Sequence, residues 1–261
     1  MMTWSNSAVD QITVSAPDKE ALLRDIADRF ATRHGFTLAT INLDHVVKLG
    51  KNDAFHAAYA AQTHVTADGN PIVWLSRVAG QDVDLIPGSE LIDPVAALAA
   101  QENVPVALFG ATDASLRAAA DGLKARYPTL DVVLTLAPPM GFDPAGPAAD
   151  EAIGALRESG ARMVFLALGA PKQEIFAARA FEQLPETGFL SIGAGLDFIS
   201  GAQKRAPKWV RALAGEWLWR LLGNPTRLAA RYGACIAILP GLSLRAFAAR
   251  NETRRQERPE G

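Results

Sequence analysis

The chain has 261 residues, of which 49% are hydrophobic and 21% charged, a composition that supports a folded core and excludes wholesale disorder. Its one cysteine, Cys235, excludes an intrachain disulfide and a cysteine-based zinc cluster, and it fits a reducing cytoplasm. The net charge of −2 is unevenly spread along the chain. Residues 201–261 contain twelve Lys or Arg and four Asp or Glu, a net charge of +8, so the first 200 residues carry −10.

Strands and helices are predicted in alternation along most of the chain. Short runs rich in Val, Leu, Ile and Phe predict strands at 11–16, 36–43, 63–67, 71–78, 104–110, 130–137, 161–169 and 187–195. Apolar residues at helical spacing predict helices at 18–35, 46–62, 112–128, 147–160 and 172–184. This rhythm favours an α/β fold with a Rossmann-like, mostly parallel sheet sandwiched by helices.

The composition changes near Gly201, where the sequence becomes basic, helical in pattern and rich in tryptophan. We therefore predict an α/β core at 1–200 and a helical appendage at 201–261, with a disordered tail from about 251. The basic appendage indicates an anionic partner, for which nucleic acid, a phosphorylated substrate and a membrane face are candidates; a solvated tail is the structural alternative. The N-terminus predicts no signal peptide, and no apolar run reaches the roughly 18 residues of a spanning helix.

Three predicted strand-to-helix junctions are rich in glycine: "LFGATDAS", "LGAPKQE" and "IGAGLDF". In open α/β sheets ligands bind at such junctions, where the unpaired N–H groups of a helix start favour anions. The glycines that would let the backbone approach a phosphate are Gly110, Gly169, Gly193 and Gly195. Tight turns are the structural alternative, and the lack of GxGxxG or Walker A motifs argues against dinucleotide and P-loop sites.

Polar side chains crowd the middle junction, because Pro171 can start a helix and so place Lys172, Gln173 and Glu174 at the mouth of a crevice. Asp197 follows the last junction in the same way.

Asp68 follows a predicted strand and precedes Gly69 in "THVTADGNPIVW". A carboxylate at a strand end can serve as a general base. Asp-Gly is also a common turn dipeptide, so a turn is the structural alternative.

Six motifs occur in order: "TINLDH", "ADGNPIVWLSR", "LFG", "LALGAPKQE", "IGAGLDFISGAQKRAPKW" and "GEWLWRLLGNPTRLAARY". Together, from about Thr40 to Tyr232, they resemble the WecG/TagA/CpsF family of bacterial glycosyltransferases. The PKQE element and the RAP…EWL…R stretch are the most specific parts of this resemblance.

The resemblance implies an inverting transferase that moves N-acetylmannosamine, its uronic acid or a similar N-acetylhexosamine from a UDP donor. The implied acceptor is polyprenyl-diphosphate-linked N-acetylglucosamine at the cytoplasmic membrane face, for wall teichoic acid, common antigen, capsule or exopolysaccharide. It also implies self-association, and neither cofactor, catalytic metal nor nucleic-acid partner. The chain shows no metal-ligand spacing of its own, and its helical histidines, among them His45 and His56, are expected on helix surfaces.

The resemblance assigns roles to individual residues. It places Thr40 and Asn42 in the donor or acceptor pocket, makes Asp68 the catalytic base, and gives Gln173 a contact to the donor sugar or diphosphate. The appendage arginines that would help to close the site are Arg220 and Arg227, which match the family, and Arg231, which is displaced by one residue.

One departure from the family affects the leaving group. The family has an arginine after the W-x-x-R stretch, where this sequence has Leu85 in "DVDLIPGSEL". Because negative charge grows on the departing diphosphate, another cation must replace that arginine. Arg77, Lys172 or an appendage arginine is expected to do so.

The appendage also suits a lipid-linked acceptor. Its tryptophans, Trp209, Trp217 and Trp219, are amphipathic rings typical of a membrane interface. The uncharged stretch "YGACIAILPGLSL" is interrupted by Pro240, so we expect it to lie on a membrane surface. Packing of these side chains against the core is the structural alternative.

Two rival functions remain open. A nucleotide-sugar epimerase would use a similar sheet but needs neither a lipid acceptor nor a basic appendage. A non-catalytic scaffold that binds a sugar nucleotide in a polysaccharide assembly complex is favoured by the missing arginine at Leu85.

Overall fold

The computed structural model describes residues 2–4, 11–199, 201, 219 and 225–256, without the side chains of 225, 227 and 252–256. The strands of this part are β1 (Phe36–Ile41), β2 (His64–Ala67), β3 (Val106–Gly110), β4 (Val132–Leu136), β5 (Met163–Ala167) and β6 (Gly188–Ser191). Its helices are α1 (Lys19–Thr32), α2 (Leu43–Leu49), α3 (Asp53–Ala60), α4 (Asn70–Val78), α5 (Gly88–Gln101), α6 (Asp113–Arg126), α7 (Pro147–Ser159), α8 (Lys172–Gln183), α9 (Gly195–Ile199) and α10 (Pro225–Gln256).

The strands form one parallel sheet in the order β2-β1-β6-β5-β3-β4. Helices α1, α5, α6 and α9 cover one face, and helices α3, α7 and α8 cover the other. Alternate side chains of β1 serve the two faces, so that Phe36 and Leu38 join the first core while Ala39 and Ile41 join the second. The predicted α/β fold with a parallel sheet between helical layers is confirmed.

Two of the predicted strands are wrong. Residues 71–78 form helix α4, since Pro71 suits a first helical turn and the buried positions recur at helical spacing, with Trp74 54% exposed. Residues 11–16 are not part of the sheet, although the Ala16 N–H donates to the Val65 carbonyl at 3.1 Å. The Ser15 hydroxyl accepts from the Val65 N–H there, so a side chain takes the place of a ladder bond, and Pro17 has no N–H to extend the pairing.

Two helix predictions also need correction. The helix predicted at 46–62 is divided, because Gly50 ends α2 and the Asn52 side chain caps α3 by accepting the Phe55 N–H at 2.9 Å. Helix α5 was not predicted at all, since Pro87 and Pro94 obscure its apolar period in the sequence.

The C-terminal helix α10 packs against α2 and α4 through one stripe, where Leu242 and Ala246 are fully buried. The helix runs unbroken through Pro240, so the predicted interruption is wrong: packing on both sides of the proline outweighs the lost hydrogen bond. Its segment Leu228–Asn251 is long and apolar enough to cross a membrane, by length and composition alone. This also corrects the expectation that no such segment exists; a single one is weak evidence for crossing.

Candidate active site

The carboxyl ends of the parallel strands bring the predicted site residues to one edge of the sheet. Asp68 follows β2, Asn42 follows β1, Gly193 follows β6, Gly169 follows β5, and Gly110 ends β3. Neighbouring strands are about 4.8 Å apart, so these five ends form a row roughly 19 Å long. A crevice at such an edge is where open α/β sheets bind ligands.

Asp68 stands at one end of the row and is oriented by Asn42. Its N–H donates to the Ile41 carbonyl at 2.8 Å, which extends the pairing of β1 and β2 by one residue. The Asn42 side-chain oxygen caps α2 by accepting the His45 N–H at 3.1 Å, so its amide nitrogen faces Asp68 and donates to Oδ2 at 3.3 Å. The turn after Asp68 requires Gly69, whose φ is +114°.

Beneath Asn42 a buried histidine and tyrosine hold the end of β1. The Thr40 carbonyl accepts from the Tyr59 hydroxyl at 2.6 Å, and His45 Nδ1 lies 2.8 Å from the same oxygen. The expectation that His45 lies on a helix surface is wrong, because the side chain that points from α2 toward β1 is buried. Burial, and next the nearby Lys48 charge, lower the His45 pKa to about 4, so the ring is neutral at neutral pH.

Gln173 and Glu174 occupy the first turn of α8 and are both buried. Gln173 Oε1 accepts the Gly169 N–H at 3.2 Å and the Gly193 N–H at 3.1 Å, while its Nε2 donates to Glu174 Oε1 at 2.9 Å. Burial raises the Glu174 pKa to about 7 against the opposing effects of the Gln173 hydrogen bond and the Lys48 charge. A buried carboxyl group whose pKa is about 7 therefore lies in the first turn of α8, bonded to the side chain that contacts both glycine turns.

The glycines at the strand ends differ in their structural roles. A Cβ at Gly110 would clash with the Ala167 backbone, so only glycine fits where β3 passes β5. The N–H groups of Gly169 and Gly193 are taken by Gln173, so an anion at these turns must use other groups. Gly195 begins the five-residue helix α9, which also carries the half-buried Asp197.

The residues expected to supply positive charge near the leaving group lie at different distances from Asp68. Leu85 lies beside Ala67 at the end of β2, so the position of the family arginine does adjoin Asp68. Arg77 is at the opposite end of α4 from Asp68, where it forms an exposed ion pair with Asp82 at 3.8 Å. Lys172 is half-buried in the first turn of α8.

A further cation, Lys48, was missed by the sequence analysis. Its Nζ donates to the Ala170 carbonyl at 3.2 Å and lies 2.8 Å from Asp44, which also pairs with Arg231 of α10 at 3.0 Å. Two cations thus share one carboxylate next to the loop before α8. Only the i, i+4 spacing of Asp44 and Lys48 could have signalled part of this group from the sequence.

Several predicted residues lie outside the described side chains: Arg220, Arg227, Trp209 and Trp217. Trp219 is described and is about half exposed. Among the described residues, no group of three or more His, Cys, Asp or Glu side chains is arranged to hold a metal ion.

A comparison with known protein families covers this edge of the sheet and the helices around it. The family model of the glycosyl transferase WecG/TagA/CpsF family matches residues 8–256, which is nearly the whole chain. The matched range includes Asp68, the glycine turns, the PKQE element and the whole of α10. The chain therefore belongs to the WecG/TagA/CpsF family of glycosyltransferases, enzymes of cell-surface polysaccharide synthesis.

Proposed function

We propose that this glycosyltransferase moves an N-acetylhexosamine-type sugar, with N-acetylmannosamine or its uronic acid as first candidates, from a UDP donor to polyprenyl-diphosphate-linked N-acetylglucosamine. The observation that carries the proposal is Asp68 fixed by Asn42 at the same strand edge as the glycine turns. A carboxylate next to a prospective anion site is what an inverting transfer needs, since one group must accept a proton while another stabilises the leaving diphosphate.

In the proposed reaction the hydroxyl oxygen of the acceptor attacks the anomeric carbon of the donor sugar. Asp68 accepts the hydroxyl proton as this bond forms. The bond from that carbon to the UDP oxygen breaks on the opposite face, and its electron pair leaves with UDP. Inversion follows from this single displacement. Thr40 and Asn42 border the reacting end of the crevice, where Asn42 keeps Asp68 Oδ2 in place.

The leaving diphosphate is proposed to bind toward the other end of the row. The starts of α6 and α8 supply helix N-termini there, and Lys172 and Lys48 supply positive charge. Arg220, Arg227 and Arg231 are proposed to close the site from the appendage. The Arg231–Asp44 ion pair supports this, because it joins α10 to the helix that Asn42 caps.

Release of UDP tests the function directly. The protein is incubated with a panel of UDP-sugars, with and without a short-chain polyprenyl-diphosphate N-acetylglucosamine. We expect UDP only when the lipid-linked acceptor is present, together with a longer lipid-linked product. Conversion of the sugar without acceptor would instead identify an epimerase, and binding without any release would identify a scaffold.

We also propose that α10 lies along the inner face of the cytoplasmic membrane, where the lipid-linked acceptor is found. One stripe of the helix packs on the protein, while the opposite stripe exposes Ile236, Leu244 and Phe247. A helix that uses one face for its own domain has only the other face for lipid, which favours a surface position over a crossing. An apolar face of this kind at a bilayer surface also agrees with the basic composition of the appendage.

Leu244→Glu is expected to weaken binding to anionic liposomes by at least about tenfold, because it removes a large apolar side chain from the exposed stripe proposed to enter the lipid and adds a repelled charge. Co-sedimentation with phosphatidylglycerol-containing vesicles measures the effect. Met140→Glu is the matched control, since it places the same charge on a fully exposed apolar residue far along the chain from α10. Unchanged binding of Leu244→Glu to the vesicles would rule out the membrane role. If sedimentation instead shows that the substitution converts a dimer to a monomer, the partner of this face is a second copy of the chain.

A further inference from the structure

We propose that Gln173 and Glu174 form a positioning clamp that sets the spacing of two donor-site loops, and that Gln173 acts through these loops rather than by contact with the donor. The loops are 168–171, after β5, and 192–194, after β6. The inference rests on the proposed function for its effect on the donor, while the clamp itself is a property of the protein alone.

The hydrogen bonds of Gln173 define the clamp. Two backbone N–H groups, from Gly169 and Gly193, point at one end of its carboxamide, and backbone N–H groups can only donate. That end must therefore be the oxygen, which fixes the nitrogen toward Glu174. One side chain on α8 thus ties together the loops that follow two neighbouring strands.

Glu174 accepts a hydrogen bond from the amide nitrogen of Gln173, and its buried carboxyl group has few other partners. The side chain is fully buried, and its Oε2 has no hydrogen-bond partner among the described residues. The titratable groups that face it are Lys48 from α2 and Tyr59 from α3, and the Tyr59 pKa is in turn raised by burial and then by the Glu174 and Asp68 charges. Burial of a carboxyl group with one oxygen unsatisfied is costly, and the hydrogen bond from Gln173 to its other oxygen offsets part of that cost.

Removal of either member should therefore open the same two loops. Without the Gln173 oxygen, two partly buried N–H groups lose their acceptor. Without the Glu174 carboxyl group, the Gln173 side chain remains but its amide nitrogen loses its buried partner, so its orientation is no longer fixed. A residue that merely contacts the donor would not depend on Glu174 in this way.

Amide hydrogen exchange of the donor-free protein tests the clamp. We expect Gln173→Met and Glu174→Ala each to speed exchange at the Gly169 and Gly193 amides by at least about tenfold. The control Gln183→Met makes the same substitution in the exposed last turn of α8 and should leave both amides unchanged. Unaltered exchange in Glu174→Ala would overturn the proposal, whether or not the protein transfers a sugar. If Gln173→Met does not fold, the Glu174 variants decide the question.

Donor kinetics test the consequence. We expect Gln173→Met and Glu174→Ala each to raise the donor KM about tenfold with kcat changed less than about threefold, and the double variant to be no worse than either, since both break one device. Glu174→Gln keeps an acceptor oxygen for the Gln173 amide and should restore the wild-type KM. A donor KM within twofold of wild type in Glu174→Ala, beside a tenfold rise in Gln173→Met, would show that Gln173 contacts the donor itself.

Discussion

Asp68→Asn is expected to lower kcat by at least about 10²-fold while the fold stays intact, because general-base assistance is commonly worth about 10²–10⁴-fold. The substitution removes the proton-accepting charge but preserves shape, and its amide oxygen can still accept from Asn42. The donor KM should change little, since the base acts on the acceptor hydroxyl. Initial rates of UDP release at saturating donor and acceptor measure the effect, with circular dichroism as the check on folding.

The matched control is Asp82→Asn, which makes the same chemical change at the far end of α4, where the carboxylate is exposed. Its kcat should equal that of the wild type. If Asp68→Asn keeps near-normal turnover, Asp68 is not the base, and the attacking hydroxyl must be deprotonated by another group of the crevice.

Glu174→Gln is expected to change how stability depends on pH. The folded-state pKa of Glu174 is about 7, against the ordinary value of 4.5 for a glutamate, so between these values the folded protein holds a proton that the unfolded chain has lost. The wild-type free energy of unfolding is therefore reduced as pH rises through this window, by about 3 kcal/mol in total. The glutamine variant does not titrate, so its stability relative to wild type should rise by about that amount from pH 4.5 to above 7.

His45 also affects this measurement, because its contribution to the free energy of unfolding changes with pH in the direction opposite to that of Glu174. The pKa of His45 is about 4 in the folded protein, against an ordinary value of 6.5 for a histidine, so its contribution to stability is lost as pH falls through that window. Between about pH 4.5 and 6.5 the two groups offset each other in the wild type, each with a slope near 1.4 kcal/mol per pH unit. Urea unfolding at several pH values measures the free energy of unfolding. In Glu174→Gln this free energy should rise with pH through the window, because the contribution of His45 is no longer offset.

The control for this measurement is Glu182→Gln, on the exposed side of the same helix, which should follow the wild-type curve. Parallel curves for Glu174→Gln and the wild type would mean that Glu174 has the same pKa in the folded protein and the unfolded chain, so that burial does not raise it.

Local patterns in the sequence predict part of this enzyme well. The βαβ alternation predicts the parallel sheet, since β3 and β5 read as short runs of apolar residues and the other strands are also rich in Val, Leu, Ile, Phe or Ala. The caps Asp18 and Thr112 mark the starts of α1 and α6 as their side chains suggest. Segment 71–78 shows the limit, because a short apolar run with branched side chains fits either a strand or a buried helix until its neighbours are known.

Sequence alone determined the fold class, the family and the edge of the sheet that carries the candidate site, because apolar periodicity, turn residues and motifs are local properties of the chain. The polar groups that meet are visible only in the folded chain: Asn42 donates to Asp68, Gln173 joins two loops and donates to Glu174, and Arg231 pairs with Asp44. Asn42 and Asp68 are 26 residues apart in the sequence, Gln173 and Gly193 are 20 apart, and Asp44 and Arg231 are 187 apart. No local pattern encodes such contacts, which exist because parallel strands deliver distant segments to one edge.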